Sequence, residues 1–423
     1  MPTMKAWRAS SYGTEGDPAD TIANLKLEDV EIPSAGAGEI LVRVELAAVN
    51  PIDWKLFSGG MHGMFPCTFP YVPGFDITGE VTAVGEGAHL RRHARPVVPA
   101  TATRPPTRQK DAAGAFVIHD TRCRLARGPT RHSVFFPFTS PRRYACAHAV
   151  TPNVLTRRPP GVSDFQVSDK VCAYLGLCET CVNPKPARGH AGAFAAFAVV
   201  PASLCARASG VDPAAAAGLP LAGLTAYQAL FTKAGRTPTG DALGDLRAGQ
   251  KLLVLGGATA VGAFAIQLAK NAGAFVACTA SARRNSRGVA KTKACADLGA
   301  DVVVDYGKEE WSETLAGRAF DLVFDAIGSQ RDWRNAAAVL KKGAAFVSVA
   351  NFAADPAANE SNAFKNFLVK SDGGNLAELV AMVEAGEVTV PVDSVVPFAD
   401  VPAALTKSRA RANAGKIVIA VAK

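Results

Sequence analysis

The sequence predicts an α/β chain in which a β-rich domain is joined to a doubly wound domain with a parallel sheet. Three observations predict it. Residues 251–270, KLLVLGGATAVGAFAIQLAK, pass from an apolar strand through a glycine turn into a helix, with apolar residues at Val261, Phe264, Ala265 and Leu268. Strands at 251–256, 275–281, 302–306, 320–326 and 344–350 alternate with helical patterns, one of them over 332–341, as a doubly wound sheet requires. The N-terminal part offers strands instead, at 4–10, 25–32 and 38–46, the last with apolar and polar residues alternating.

These patterns divide the chain in three. Residues 1–208 form the first part of the β-rich domain, with a returning strand at 192–201. Residues 209–353 form the parallel-sheet domain, opened by Asp212 as N-cap and Pro213 at the first helical position. Residues 354–423 return to the β-rich domain and end on a closing strand at 415–421.

With 423 residues, 48% of them hydrophobic, the chain can bury two or three cores. No apolar run reaches the length of a membrane span, and MPTMKAWRAS lacks the apolar region of a secretory leader. A cytoplasmic location is expected, with organelle import by an atypical signal left open. Nine cysteines without a regular framework suggest free thiols in a reducing compartment. Cys178-Glu-Thr-Cys181 reads as a pair of ordinary thiols rather than a metal or redox site.

The net charge of +9 is not spread over the chain. Residues 88–161 hold 13 Arg and one Lys against two Asp, a net +12, which leaves −3 for the remainder. The same segment holds ten prolines and five of the seven histidines, without useful strand or helix periodicity. Joining Gly87 to Val162 gives EVTAVGEGVSDFQVSDKVCAYL, a plausible pair of strands linked by a turn, and both junctions are compatible with splice-site codons. The segment therefore reads as a translated intron or a disordered insertion. A nucleic-acid-binding arm is disfavoured, because aromatic residues are sparse in it and the rest of the chain is slightly acidic.

The chemistry of the glycine turn points to a dinucleotide. A turn of Gly256, Thr259, Ala260, Val261 and Gly262 can aim backbone N–H groups and a helix N-terminus at a pyrophosphate, and Gly262 lets the helix lie close. A threonine stands where the usual fingerprint has its middle glycine, and this stretch alone also fits a βα turn without a ligand. The next strand selects the cofactor. It ends in Ser281, Arg283 and Arg284, with no acid before Asp297, so no carboxylate is expected on a ribose 2′-hydroxyl. A serine and two arginines suit a 2′-phosphate, which favours NADPH over NADH.

Two N-terminal stretches add a resemblance. The segments AAVNPIDWKLFSGG, residues 47–60, and FPYVPGFDITGEVTAVGEG, residues 69–87, match the N-P-x-D-W-K and P-G-x-D-x-x-G-x-V-x-x-V-G patterns. They resemble the medium-chain dehydrogenase/reductase superfamily, in its zinc-independent quinone oxidoreductase-like branch. The resemblance implies a GroES-like β-rich catalytic domain and a Rossmann cofactor domain. It places Asn50, Phe75 and Leu221 at the positions of the catalytic zinc ligands; none is a ligand type, so no metal is expected. It also implies that Tyr306 flanks the adenosine and that Asn351 and Thr225 border the nicotinamide. For Thr225, a hydroxyl bonded to its own helix is the equal alternative.

The expected activity is hydride transfer from NADPH to quinones or α,β-unsaturated carbonyls, acceptors electron-poor enough to need no zinc. Lys55 is the expected cationic contact to ribose or to a developing oxyanion. Relatives often carry a tyrosine near this position, so the proton donor stays open between a side chain and water. Asn50 and Asp53 are candidate catalytic residues or supports of the loop under the cofactor. The competing class is a cofactor-binding interaction protein, with RNA or a membrane surface as partner and marginal reductase activity. Expected partners are a small quinone or enone and a second copy of the chain in a homodimer, with neither nucleic acid nor an integral membrane segment.

Overall fold

A computed structural model of the chain describes residues 2–13, 18–85, 109–110, 116–117, 164–177, 192–231, 243–284 and 288–421. The first part holds β1 (Thr3–Ala9), α1 (Pro18–Ala23), β2 (Leu25–Glu31), β3 (Glu39–Ala48), α2 (Pro51–Phe57) and β4 (Asp76–Val84). Two short strands, β5 (Gln109–Lys110) and β6 (Phe116–Val117), pair antiparallel with each other, apart from the main unit. The main unit continues with β7 (Lys170–Tyr174), β8 (Phe197–Pro201) and β9 (Cys205–Arg207). The returning strand is shorter than the expected 192–201, because Ala195 makes only an isolated bridge to Ala6.

Next come α3 (Pro213–Gly218) and α4 (Pro220–Leu230). Asp212 caps α3, its carboxylate accepting from the backbone N–H groups of Ala214 and Ala215 at 3.0 Å each. The alternating part then runs β10 (Lys251–Leu255), α5 (Ala260–Asn271), β11 (Phe275–Ala280), α6 (Lys291–Asp297), β12 (Val302–Asp305), α7 (Trp311–Thr314), β13 (Phe320–Asp325), α8 (Gln330–Asn335) and β14 (Leu340–Ser348). The helix expected over 332–341 ends early, because Leu340 and Lys341 already belong to β14. The chain closes with β15 (Ala363–Asn366), α9 (Gly373–Glu384), β16 (Val392–Pro397), α10 (Val401–Arg409) and β17 (Lys416–Ala420).

Two sheets organise these elements. The first has the order β16-β17-β3-β4-β7-β9, with β8 also on β3. The second is parallel throughout, in the order β12-β11-β10-β13-β14-β15. Its sixth strand corrects the boundary expected at residue 353, since β15 completes this sheet before the chain returns.

Strand β10 shows why the parallel sheet is buried on both faces. Leu252 and Val254 join the core with Phe264, Ala265 and Leu268 of α5, whereas Leu253 and Leu255 point to a second core around Trp311, Trp333 and Phe346. Period-two alternation thus puts apolar side chains on both faces, and the run reads as continuously hydrophobic.

A buried ionic knot fastens the first sheet to the helices that lead into the second. Lys416 of β17 is 2% exposed, and its ammonium donates to Asn50 Oδ1 at 2.6 Å and to Asp76 Oδ2 at 2.9 Å. Asn50 Nδ2 donates to the same Asp76 oxygen at 2.9 Å, and Asp76 Oδ1 accepts the Leu221 backbone N–H at 2.8 Å. Asp53 accepts the Asn50 backbone N–H at 2.6 Å. A charge this far from water persists only when paired and hydrogen-bonded, and here the partners come from β17, β4, α4 and the turn before α2. Lys416→Met is expected to cost about 3–5 kcal/mol, because it strands the Asp76 carboxylate. Adding Asp76→Asn to that variant should recover part of the loss in urea unfolding, and an unchanged midpoint for Lys416→Met would refute the assignment.

Strands β4 and β7 bear on the arginine-rich segment. They are antiparallel neighbours, Asp76 opposite Tyr174 and Glu80 opposite Lys170. Val81 prolongs the ladder, accepting the Ser168 N–H at 2.8 Å and donating to the Asp169 carbonyl at 2.9 Å. The two ends flanking residues 86–163 therefore leave the sheet side by side, where a hairpin turn suffices. Apart from β5 and β6, residues 88–161 lie outside the described residues, as do Cys178 and Cys181. A variant joining Gly87 to Val162 is expected to keep a cooperative thermal transition within a few degrees of the full chain; loss of that transition in circular dichroism would make the segment part of the fold.

Candidate functional site

In the parallel sheet β10 and β13 are neighbours whose outgoing connections run to opposite sides, which makes a crevice at their C-terminal ends. The glycine turn stands there. Gly256 has φ +87°, and a Cβ on it would lie 2.6 Å from Ile327 Cδ1. Its N–H donates to Thr279 Oγ1 at 3.0 Å, and the Gly257 N–H donates to the Thr279 carbonyl at 2.9 Å. A Cβ on Gly262 would lie 2.2 Å from the Gly256 carbonyl oxygen, so only glycine lets α5 start this close to the strand.

Thr259 caps α5: its hydroxyl accepts the Gly262 N–H at 2.9 Å and donates to the Gly256 carbonyl at 2.8 Å. The expected cofactor contact at Thr259 is thus a hydroxyl committed to shaping the turn. Ala260 and Val261 are half-buried at the first turn of a helix 12 residues long, which leaves that N-terminus open to an anion.

Across the crevice β13 ends in a carboxylate clamp that the sequence reading did not single out. Asp325 is fully buried and accepts the N–H groups of Ile327 at 2.8 Å and Gly328 at 3.1 Å, and the Ser348 hydroxyl at 2.7 Å. Burial raises its pKa, against the opposing pull of those hydrogen bonds. The clue in the sequence is an acid inside the apolar run FDLVFDAIG. Asn351 stands just beyond β14, buried, with its N–H on Ser348 Oγ at 3.0 Å and its Oδ1 accepting from Ala353 at 3.1 Å.

At the far end of the crevice, Ser281, Ala282, Arg283, Asp305, Tyr306, Gly307 and Lys308 line an open pocket. Tyr306 is largely exposed there, offering a ring face. Arg284 is not among the lining residues; its guanidinium donates to the Gly288 carbonyl instead. Lys308, which sequence reasoning missed, supplies the second cation. Asp305 also faces this pocket, but its carboxylate accepts from Ala282 at 3.2 Å and Gly307 at 3.1 Å and lies 4.0 Å from the Lys308 ammonium. Its charge is thereby engaged within its own loop.

The residues expected to be catalytic fall into two environments. Asn50 and Asp53 are buried in the knot, so the structure uses them to support the loop. Thr225 donates its hydroxyl to the Leu221 carbonyl four residues back at 2.6 Å, the helix-internal alternative, and is also buried. Lys55 differs. Much of its side-chain surface is exposed, yet its ammonium lies 5.8 Å from the Trp54 ring centre, in protein dense enough for desolvation to lower its pKa, with the Arg411 charge adding to that effect. At the three positions where the resemblance implied zinc ligands stand a carboxamide engaged by Lys416, the fully buried phenyl of Phe75 and the aliphatic Leu221. Among the described residues no group of three or more His, Cys, Asp or Glu is placed to hold a metal.

Comparison with known proteins finds relatives over nearly the whole chain. The alcohol dehydrogenase GroES-like domain family matches residues 36–114, and the zinc-binding dehydrogenase family matches residues 298–419. The chain is 28% identical to an NADPH-dependent alkenal/one oxidoreductase, chloroplastic, of Arabidopsis thaliana, covering 98% of this chain and 79% of that one. It is 24% identical to a chloroplastic quinone-oxidoreductase of Triphysaria versicolor, covering 98% of both. In fold it is similar to the quinone oxidoreductase of Coxiella burnetii, with TM-score 0.68, 20% identity and full coverage of both chains. A mycobacterial protein solved in complex with NADPH gives TM-score 0.63 at 23% identity over 99% of each chain. The chain is thus similar in part to the alcohol dehydrogenase GroES-like and zinc-binding dehydrogenase families, and over nearly its whole length to alkenal/one and quinone oxidoreductases.

Proposed function

We propose that the chain is an NADPH-dependent oxidoreductase that reduces quinones or α,β-unsaturated carbonyls. One observation carries the reading: the pocket beyond β11 pairs the cations of Arg283 and Lys308 with Ser281, at one end of a crevice that begins at the glycine turn. The relatives named above, an alkenal/one reductase and a quinone oxidoreductase, support it.

The residues fit NADPH. The N–H groups at the start of α5 suit the pyrophosphate, and Gly256 and Gly262 keep that approach free of Cβ atoms. Arg283, Lys308 and Ser281 suit the 2′-phosphate, with the exposed Tyr306 ring beside the adenosine. When bound, NADPH supplies the hydride. The Asp325 clamp fixes the Ile327–Gly328 turn against Gly256 and so sets the depth of the crevice. Lys55, its ammonium made more acidic by burial and by Arg411, is the cation assigned in this reading to the developing oxyanion, with the proton coming from it or from water.

Asn50, Phe75 and Leu221 provide no zinc-binding set, so polarisation of the acceptor falls to such cationic contacts. No helix among the described residues is long and apolar enough to cross a membrane. A cytoplasmic site of action and a homodimeric assembly complete the proposal; several relatives bear chloroplast names. No observation favours an RNA- or membrane-binding role.

Oxidation of NADPH with a quinone and an enone panel tests the reading. NADPH is expected to exceed NADH in kcat/KM by more than about tenfold, or about 1.4 kcal/mol, a difference that Arg283→Ala combined with Lys308→Ala removes. Arg284→Ala should erode it far less, and exhaustive chelation should leave turnover intact. Equal use of both nucleotides would refute the cofactor assignment; absence of turnover across both panels would refute the reaction.

A further inference from the structure

Two thiols lie directly beneath the glycine turn, and the function proposed above makes no use of them. Cys278 is on β11 and Cys295 on α6; both are free and fully buried. A Cβ on Gly257 would stand 2.9 Å from Cys278 Sγ and 3.2 Å from Cys295 Sγ, so both sulfurs press on one glycine. Because both lie that close to one point, the two sulfurs are no more than about 6 Å apart. In sequence they bracket Ser281 and Arg283, so a bond between them would staple the segment that carries one of the two pocket cations.

The helix carrying Cys295 is weakly held. Cys295 is the sole buried residue of α6, a helix of seven residues whose N-cap, Ala290, has no capping side chain. Its ion pair, Lys293 with Asp297, is exposed. Such an element opens locally at low cost, and opening presents Cys295 to solvent before the strand residue Cys278. By contrast, in the closed form the neighbouring Cys295 thiol, together with burial, raises the pKa of the Cys278 thiol, which keeps the pair reduced.

We propose that Cys278 and Cys295 form a reversible disulfide under peroxide, and that this bond weakens nucleotide binding at the turn above them; the second half rests on the cofactor reading given above. From the open form the Cys295 sulfur attacks a peroxide oxygen and the O–O bond breaks. This gives a sulfenic acid and, once the thiol proton is transferred, water. The Cys278 sulfur then attacks the Cys295 sulfur, the S–O bond breaks and a second water leaves. Two thiols and one hydrogen peroxide thus become one disulfide and two waters, and the peroxide is reduced. Drawing the sulfurs together to the roughly 2.05 Å of a disulfide pulls α6 onto β11 beneath Gly257 and shifts the intervening segment. Bound NADPH, seated on the same turn and segment, opposes the opening that starts the reaction.

The test treats the full-length reduced protein with hydrogen peroxide, with and without NADPH, then alkylates remaining thiols and maps peptides without reductant. Nucleotide affinity is followed by NADPH fluorescence. The expected result is a linked Cys278–Cys295 peptide, slower to form with NADPH present, and about tenfold weaker binding that dithiothreitol restores. Cys295→Ala and Cys278→Ala should each bind NADPH when reduced and keep that affinity after peroxide. Alkylation of both cysteines after peroxide overturns the proposal, as does a linked peptide with unchanged affinity, or peroxide sensitivity that survives in both variants. Failure of the reduced protein to bind NADPH would refute the cofactor reading instead, and the linked peptide would then still decide whether the pair is oxidisable.

Discussion

The structure depends on one buried cation. The Lys416 ammonium comes from the last strand of the chain, yet its two partners, Asn50 and Asp76, come from the first part. Asp76 also holds the backbone N–H of Leu221, where α4 begins. The β-rich domain is discontinuous in sequence, and sheet hydrogen bonds alone would leave its closing strand interchangeable with any apolar strand. An ammonium that is satisfied only in one register specifies which strand pairs with β3 and in what register. The same knot holds the turn leading into α2, from which Lys55 projects, and the start of α4, so the supports of the reacting end are fixed by one set of contacts.

The crevice at the switch point rests on a different constraint, close approach of backbone. Gly256 and Gly262 permit it on one side, and the Asp325 carboxylate organises the backbone on the other. Neither device supplies a reacting group. They leave an open helix N-terminus and a shaped gap, while the proposed charge selectivity lies in the pocket beyond β11. In the proposed function binding and chemistry are thus separate: the nucleotide determinants proposed lie at the parallel sheet, and Lys55 on α2 is the cation proposed for the reaction.

Much of this architecture is legible in the sequence because it depends on period. Strand β10 and helix α5 differ in hydrophobic spacing, and the glycines mark the change between them. The features that escape the sequence depend on partners far away along the chain. Lys416 lies in a strand otherwise apolar, where a lysine reads as an exposed end until Asp76 and Asn50 are seen around it. Arg284 adjoins the end of β11 in sequence, but its guanidinium turns to Gly288, and Lys308 reaches the pocket from the loop after β12. Thr225 and Thr259 show hydroxyls whose local hydrogen bonds occupy them, a competition that residue type alone leaves open. The end of the parallel sheet was placed too early because β15 is short and half-exposed, with little of the apolar signal that marks β10.

The central claim is that the nucleotide lies across the switch point with its 2′-phosphate between Arg283 and Lys308. Amide hydrogen exchange with and without nucleotide measures this most directly. With NADPH, protection is expected at residues 256–262, 281–283 and 306–308; with NADH it should persist at 256–262 and weaken at the other two segments. Protection by NADPH elsewhere, or an identical pattern for the two nucleotides, would contradict the account.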